Sequence, residues 1–372
     1  IKARPGLGAI NNAGTLAGVL GSSLGVTGPL GTNTNDGAII PSNLRLYETS
    51  VLPEYEANRD LLVAELSYEF DNGLTLTGNY SQMDRYRESS DDYNKLVGTI
   101  PFNVTPLTPD LDGDGAGNWP GAAALGLTPP VDTRLPAGAS SIVATDNSSV
   151  TDETTTAEIR LQSAFDGPFN FNVGAIKIDS EIETNYYVFF NTAEMMAAAT
   201  GLPIDRTYFR SRSPYELDAL GVFAEGYYQL NDDVKLTLGL RYTSDDKSQQ
   251  NTPSLLLAPA TTAPGELNGE FIGGPLQEAS FEEITGRVGF DWQLGETFFS
   301  DSTMLYAFYS RGYKGGGINP PQSEGLEGVG NTFDPEFINA YEIGTKSTVL
   351  DGRAALNVTG FYYDYEGYQI SS

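Results

Sequence analysis

Apolar and polar residues alternate strictly along many stretches of this chain. Between residues 234 and 242, one side of an extended segment carries Leu236, Leu238 and Leu240, and the other side carries Lys235 and Arg241. A repeat of two residues is typical of a β-strand with one apolar and one polar face. About ten such runs occur, and many of them end in aromatic residues. The apolar faces are long and rich in Leu, Val and Tyr, which favours the lipid-facing wall of a membrane barrel over the core of a soluble sandwich.

The predicted strands come in pairs, each closed by a short turn. The sequence predicts these turns at residues 71–73, 166–168, 231–233, near Gly295 and at 351–352. Long connections separate the pairs, at residues 85–153, 191–216, 244–281 and 314–335. Short turns that alternate with long loops are typical of outer-membrane barrels, in which the long loops are extracellular.

The predicted fold is therefore all-β: a transmembrane antiparallel up-and-down β-barrel whose wall covers residues 61–372. Residues 1–60 are rich in Gly and Asn, and we expect an extracellular loop or irregular segment there. A soluble β-sandwich and a surface solenoid are the alternatives, because alternating strands with turn signals also fit those folds. A ten-stranded barrel could close by itself, but we prefer the interpretation that the chain is the middle of a larger barrel.

Composition removes several classes of function. The chain has 49 Asp and Glu against 21 Lys and Arg, a net charge of −28, which would repel nucleic acid. It contains no histidine and no cysteine, which excludes Ser-His-Asp catalysis, a cysteine nucleophile and zinc sites built from these residues. Adjacent carboxylates such as Asp245 and Asp246 point to opposite sides of a strand and cannot easily share a substrate. We therefore expect no enzymatic activity.

The alternation also predicts which charged residues face the water-filled interior. These residues form a polar inner wall, as in porin-like barrels; they are Glu65, Glu158, Arg160, Glu225, Arg241, Arg287, Asp291, Arg311, Glu342 and Lys346. On the same reasoning, Met304, Tyr306 and Phe308 are expected on the apolar outer face.

A carboxylate-rich segment predicts a calcium site in the first long loop. Asp110, Asp112 and Asp114 alternate with other residues as in the first half of a calcium-binding loop, and Asn118 could add an oxygen ligand. Gly121 stands where an EF-hand has its bidentate Glu, so an EF-hand is not predicted. A solvated acidic turn is the alternative reading of residues 110–118. No cofactor other than this calcium ion is expected.

Three consecutive glycines, Gly315, Gly316 and Gly317, invite two interpretations. A phosphate-binding loop would need a Walker pattern and a following helix, and neither is evident. A bend between a strand and a loop is favoured.

Several ordered segments of the chain resemble TonB-dependent outer-membrane receptors. The strongest is FYSRGYKGGGIN at 308–319, followed by NAYEIGTK at 339–346 and FYYDY at 361–365. Further similar segments are VFAE at 222–225, LGLRYT at 238–243 and EIRLQS at 158–163. The resemblance covers roughly residues 154 to 370 and does not reach the first 60 residues.

This resemblance implies a barrel of about 22 strands closed by an N-terminal plug. It implies location in the outer membrane, contact with lipid and lipopolysaccharide, and energy supplied by TonB through a plug region that is not evident in this sequence. The implied cargo is a scarce nutrient, above all a ferric siderophore or another iron chelate. On this reading Arg311, Tyr313 and Lys314 lie at the extracellular end of a strand, where a positive and aromatic rim would meet an anionic chelate. A calcium-binding surface adhesin or a structural β protein of the envelope is the alternative function.

Overall fold

The computed structural model describes residues 43, 49–93, 143–190, 207–250, 275–319 and 330–370. All regular structure in these ranges is β. Ten long strands and two short ones are present: β1 (Glu54–Glu69), β2 (Leu74–Asp92), β3 (Ala144–Ser163), β4 (Phe169–Phe190), β5 (Thr207–Gln229), β6 (Val234–Gln249), β7 (Gln277–Thr297), β8 (Ser300–Lys314), β9 (Gly317–Ile318), β10 (Thr332–Phe333), β11 (Glu336–Val349) and β12 (Ala354–Glu366). Within the described ranges, no helix is long and apolar enough to cross a membrane.

The ten long strands form one antiparallel sheet in the order β1 to β8, then β11 and β12. Each strand pairs with its neighbour in sequence, which confirms the predicted up-and-down topology. The short strands β9 and β10 pair only with each other. Within the described residues β1 does not pair with β12, so the sheet is an open part of a barrel wall.

The register sorts side chains onto two faces. Directly paired residues share a face, as do Val222 with Tyr242, Leu236 with Phe290, and Leu238 with Val288. Leu238 is 60% exposed and Ile284 is 67% exposed, so this apolar face has no protein partner in the described part of the chain. We call the face that carries Leu238 the outward face, and the opposite face the inward face.

The two ends of the strands differ. Residues 70–73, 164–168, 230–233, 298–299 and 350–353 connect strands at one end, which we call the short-turn edge. The connections of 16 to 51 residues all lie at the other end, the long-loop edge. This arrangement is the one predicted from the spacing of the turn signals.

The strands extend beyond the bounds that alternation indicated. β2 continues to Asp92 and β3 starts at Ala144, inside the range 85–153 that was predicted as a loop. Likewise, β1 begins at Glu54, within the segment 1–60 that was expected to be irregular. Near the long-loop edge both faces are polar, so the backbone ladder continues where the apolar pattern has already ended.

The turn expected near Gly295 lies farther along the chain. β7 continues to Thr297, and the turn is at Phe298 and Phe299. Gly295 has a φ of +66° and marks an irregularity, since the register between β7 and β8 shifts on both sides of it. Irregularities of this kind are β-bulges. The two shifts cancel, because Thr297 pairs with Ser300 in the same register as Gly286 pairs with Arg311.

Candidate functional site

Charged side chains on the inward face form pairs between different strands. A carboxylate oxygen of Glu225 on β5 lies 2.6 Å from Nε of Arg287 on β7, and the Tyr227 hydroxyl donates a hydrogen bond to the same carboxylate. Nearer the short-turn edge, Nζ of Lys235 lies 2.9 Å from the Asp291 carboxylate. In each of these pairs a cation and a carboxylate neutralise one another.

Glycines make room for these side chains. A Cβ atom on Gly239 would come within 3.0 Å of the Glu225 carboxylate, and one on Gly221 would come within 2.2 Å of the Arg241 guanidinium. The Arg241 guanidinium and the Glu225 carboxylate therefore lie along the wall instead of standing away from it. Residues of this region line a cleft of about 260 Å³, among them Asn172, Phe223, Glu225, Arg241, Arg287 and Ser310.

Arg241 differs from its neighbours in this cleft. Its Nε donates to the Thr243 hydroxyl at 3.1 Å, and no ion pair to a carboxylate is found for it within the described chain. An arginine without a carboxylate partner on a wet wall is a point where an anionic group can bind.

A second inward group lies on β8 and β11. The Tyr306 hydroxyl donates to Glu342 at 2.8 Å, and Nζ of Lys346 lies 5.5 Å from the centre of the Tyr306 ring. The structure thus places Glu225, Arg241, Arg287, Glu342 and Lys346 on the inward face, as the alternation indicated. Their role as a lining of the lumen stays a prediction.

The two faces of β8 are the reverse of those predicted from the sequence. Tyr309 pairs with Val288, and Ala307 pairs with Phe290, so odd-numbered residues of β8 share the outward face. Met304, Tyr306 and Phe308 therefore point inward, contrary to expectation. Alternation could not reveal this because β8 carries aromatic residues on both faces, Tyr306 and Phe308 on one and Tyr309 on the other.

The same register puts Arg311 on the outward face. It pairs with Gly286 on β7 and with Asn339 on β11, and its guanidinium carbon lies 4.3 Å from the centre of the Phe337 ring. Its Nη2 lies 3.9 Å from the Glu366 carboxylate. Arg311 was predicted to face the lumen and to form part of a ligand-binding rim. The register instead directs its side chain outward, so that prediction is wrong.

Tyr313 and Lys314 lie at the long-loop edge, each beside a carboxylate. Nζ of Lys314 is 3.8 Å from Glu336, and the Tyr313 hydroxyl donates to Asp245 at 3.2 Å. Burial and the negative charge of Asp245 raise the pKa of Tyr313. The region is mixed in charge, not positive as the sequence suggested.

The predicted calcium loop, with Asp110, Asp112 and Asp114, lies outside the described residues. Within the described ranges, no group of three or more Asp or Glu side chains is arranged to hold a metal ion.

Comparison with known proteins identifies the family. A family model described as "TonB dependent receptor-like, beta-barrel" matches residues 6–372. No curated protein sequence matches the chain significantly.

Solved structures share the fold at low sequence identity. The ferric yersiniabactin uptake receptor FyuA from Yersinia pestis is 15% identical with a TM-score of 0.58, and the match covers 86% of this chain and 37% of FyuA. The siderophore receptor PiuA from Acinetobacter baumannii is 15% identical with a TM-score of 0.52, covering 88% of this chain and 44% of PiuA. The ferric-catecholate import receptor Fiu from E. coli K12 is 14% identical with a TM-score of 0.52, covering 87% of this chain and 42% of Fiu.

The chain thus spans less than half the length of these receptors. The family is one of receptors, in agreement with the expectation that the chain is not an enzyme. Both the sheet and the family match lead to the same conclusion: the chain belongs to the TonB-dependent receptor family and forms part of its β-barrel.

Proposed function

We propose that the whole receptor resides in the outer membrane and imports a metal chelate, most of all a ferric siderophore, with energy delivered by TonB. In this proposal the outward face of the sheet contacts lipid, and the inward face lines the path of the ligand. The long-loop edge is extracellular and the short-turn edge is periplasmic.

The two-faced ten-stranded sheet is the observation that carries this proposal. Leu238, Val288 and Ile284 are at least half exposed on the outward face, while the paired charges of Glu225 and Arg287 lie behind them. In lipid every backbone polar group needs an internal partner, and a ladder of neighbouring strands supplies it. An apolar band backed by a wet, charged wall is the arrangement that a transmembrane barrel requires.

The iron chelate is supported by the similar structures and by the chemistry of the inward wall. FyuA, PiuA and Fiu are named for ferric chelates or siderophores. Arg241 offers a cation without a carboxylate partner in the described part of the chain, and the Phe223 ring lies in the same cleft. Such a surface suits a chelate that carries both negative charge and aromatic rings.

Uptake of radioactive iron by whole cells tests this function. Cells that lack the gene, starved of iron and complemented with the full-length receptor, should take up a ferric catecholate or a ferric carboxylate chelate, and collapse of the proton gradient should abolish uptake. If a complete set of such chelates gives no difference between deletion and complemented cells, the iron reading is wrong. Uptake that persists without the gradient would remove the role of TonB.

A charge reversal in the lumen refines the test. Arg241→Glu should lower uptake of an anionic ferric chelate, because the cation that attracts it is replaced by a carboxylate. Arg353→Glu is the matched control, since Arg353 is 76% exposed in the turn between β11 and β12. Both variants should reach the outer membrane in normal amounts, and equal uptake by both would exclude a binding role for Arg241.

A further inference from the structure

The end of β8 leaves the wall and crosses to its inward side. Pairing between β7 and β8 stops at Gly286 and Arg311, whereas pairing between β8 and β11 continues to Lys314 and Glu336. The chain then forms the small β9–β10 pair, which is not part of the large sheet.

Resting on the transport function proposed above, we propose that residues 315–319 and 330–335 form an inner strap. This strap is docked on the inward wall through Lys247, and its tip must leave the wall before a ligand passes.

Two polar contacts dock the strap. Lys247 Nζ donates to the carbonyl oxygen of Gly316, and Gln277 Nε2 donates to that of Asn319 at 3.1 Å. Just before the strap, the Tyr313 hydroxyl at the end of β8 donates to Asp245 at 3.2 Å. Asp245 and Lys247 on β6, and Gln277 on β7, all have the parity of the inward face. The strap therefore lies against the lumen side of β6 and β7.

The three glycines allow the strap to approach this closely. A Cβ atom on Gly316 would lie 2.3 Å from the Phe333 carbonyl oxygen and 2.5 Å from the Phe281 ring. On Gly317 it would lie 2.3 Å from the Phe333 ring. A side chain at Gly316 would force the strap away from the Phe281 ring of the wall, and one at Gly317 would force the two short strands of the strap apart. The glycine run therefore has a specific purpose beyond a bend.

The base and the tip of the strap are held differently. Gln369, just after β12, donates through Nε2 to the carbonyl oxygens of Gly315 and Asp334, both at 3.1 Å. These bonds fix the base. The tip relies on the side chains of Lys247 and Gln277 and on two strands of two residues each, so it can open at a lower free energy than a strand of the wall.

Lys247 acts as a latch, by which we mean a side chain that holds the tip of the strap and can release it. Its ammonium group lies 5.4 Å from the centre of the Phe281 ring and is half-buried under the strap. Burial lowers the pKa of Lys247, and the charge of Asp245 opposes that effect. When the strap leaves the wall, the Lys247 ammonium group regains its hydration. The free energy of this hydration offsets part of the cost of losing the contacts of the strap.

A reversible cross-link tests whether the tip has to move. In the full-length receptor, Gln277→Cys combined with Asn319→Cys would be joined by a short bis-maleimide with a cleavable disulfide spacer. The matched control joins Gln249→Cys to Gln277→Cys, two residues paired within the wall, with the same reagent. The described sequence has no cysteine of its own to interfere.

With a ferric catecholate chelate as the probe, we expect the strap cross-link to lower uptake to the level of the deletion strain. Reduction of the spacer should restore uptake, and the wall cross-link should have no effect. Normal uptake with a complete strap cross-link would overturn the proposal. If the receptor without cross-links takes up no ferric probe, the transport function itself fails.

A second measurement tests the docking of the strap without an uptake assay. Spin labels at 277 and 319 in isolated outer membranes should report one short distance in the wild type. Lys247→Met should lengthen and broaden that distance, and Lys235→Met, which removes an inward cation near the short-turn edge, should leave it unchanged. An unchanged distance in the Lys247→Met receptor would overturn the latch.

Discussion

Single side chains on this wall have effects that depend on the face they occupy. Thr237 and Leu238 are neighbours in β6, yet one is opposite Gly289 on the inward face and the other is opposite Val288 on the outward face. In the proposed barrel, a step of one residue along the strand therefore replaces a water-facing position by a lipid-facing one. This sorting makes neighbouring positions into natural control pairs.

Leu238→Arg should destabilise the barrel in the membrane by about 2–4 kcal/mol, because an arginine near the middle of the bilayer loses its hydration. Thr237→Arg should have a much smaller effect, since the inward face would contact water in the proposed barrel. The measurement is the free energy of unfolding of the full-length receptor in lipid vesicles. Equal losses for the two variants would contradict the assignment of the faces.

A second residue-scale effect depends on pH. Glu183 lies beyond the apolar band near the long-loop edge; burial would raise its pKa, but hydrogen bonds from Arg212 and Asn185 and the charge of Arg212 outweigh burial and lower it. A carboxylate with a lowered pKa contributes stability above its ordinary pKa of 4.5, and that contribution is lost as the pH falls through the lowered value.

Accordingly, Glu183→Gln should cost stability at pH 7 and progressively less as the pH falls below 4.5. The check is a comparison of wild type and variant by chemical unfolding across this pH range. A constant difference at all pH values would show that the ion pair with Arg212 does not stabilise the fold.

At the scale of elements, turns and the apolar parts of strands were predictable because both depend on local chemistry. Gly73, in the predicted turn at 71–73, has a φ of +82°, which favours glycine. The long-loop ends of β2 and β3 were not predictable, because polar residues on both faces give no alternation. The inner strap was not predictable either, since Lys247 and Gly316 are 69 residues apart in the chain.

The first turn offers a test of this local control. Gly73→Ala should destabilise the β1–β2 hairpin by about 1–3 kcal/mol, because it forces a side chain into a left-handed backbone conformation. Its Cβ would also lie 2.9 Å from the carbonyl oxygen of Ala164. Gly167→Ala is the control, as nothing lies within 4 Å of a Cβ there. Chemical unfolding should separate the two variants, and a loss for Gly167→Ala as large as that for Gly73→Ala would refute the argument.

At the scale of the whole molecule, a row of carboxylates crosses several strands on the outward face of the described sheet. Five exposed carboxylates stand directly opposite one another across β1 to β5: Asp60, Asp84, Glu153, Glu181 and Glu216. Like charges directly opposite each other in a sheet are destabilising. The repulsion along this row therefore destabilises the sheet, which the backbone hydrogen bonds between strands and the apolar outward face stabilise.

Neutralising the centre of this row should stabilise the receptor. Glu153→Gln relieves repulsion from Asp84 on one side and Glu181 on the other, with an expected gain of roughly 0.2–1 kcal/mol at low salt. The gain should shrink as salt rises, because the Debye length falls to about 8 Å at physiological ionic strength and less above it. Asp232→Asn, in the turn between β5 and β6, removes the same charge away from the row and should change stability little. Unfolding of the three proteins over a series of salt concentrations decides the matter: a gain for Glu153→Gln that does not depend on salt would mean that repulsion along the row is not its cause.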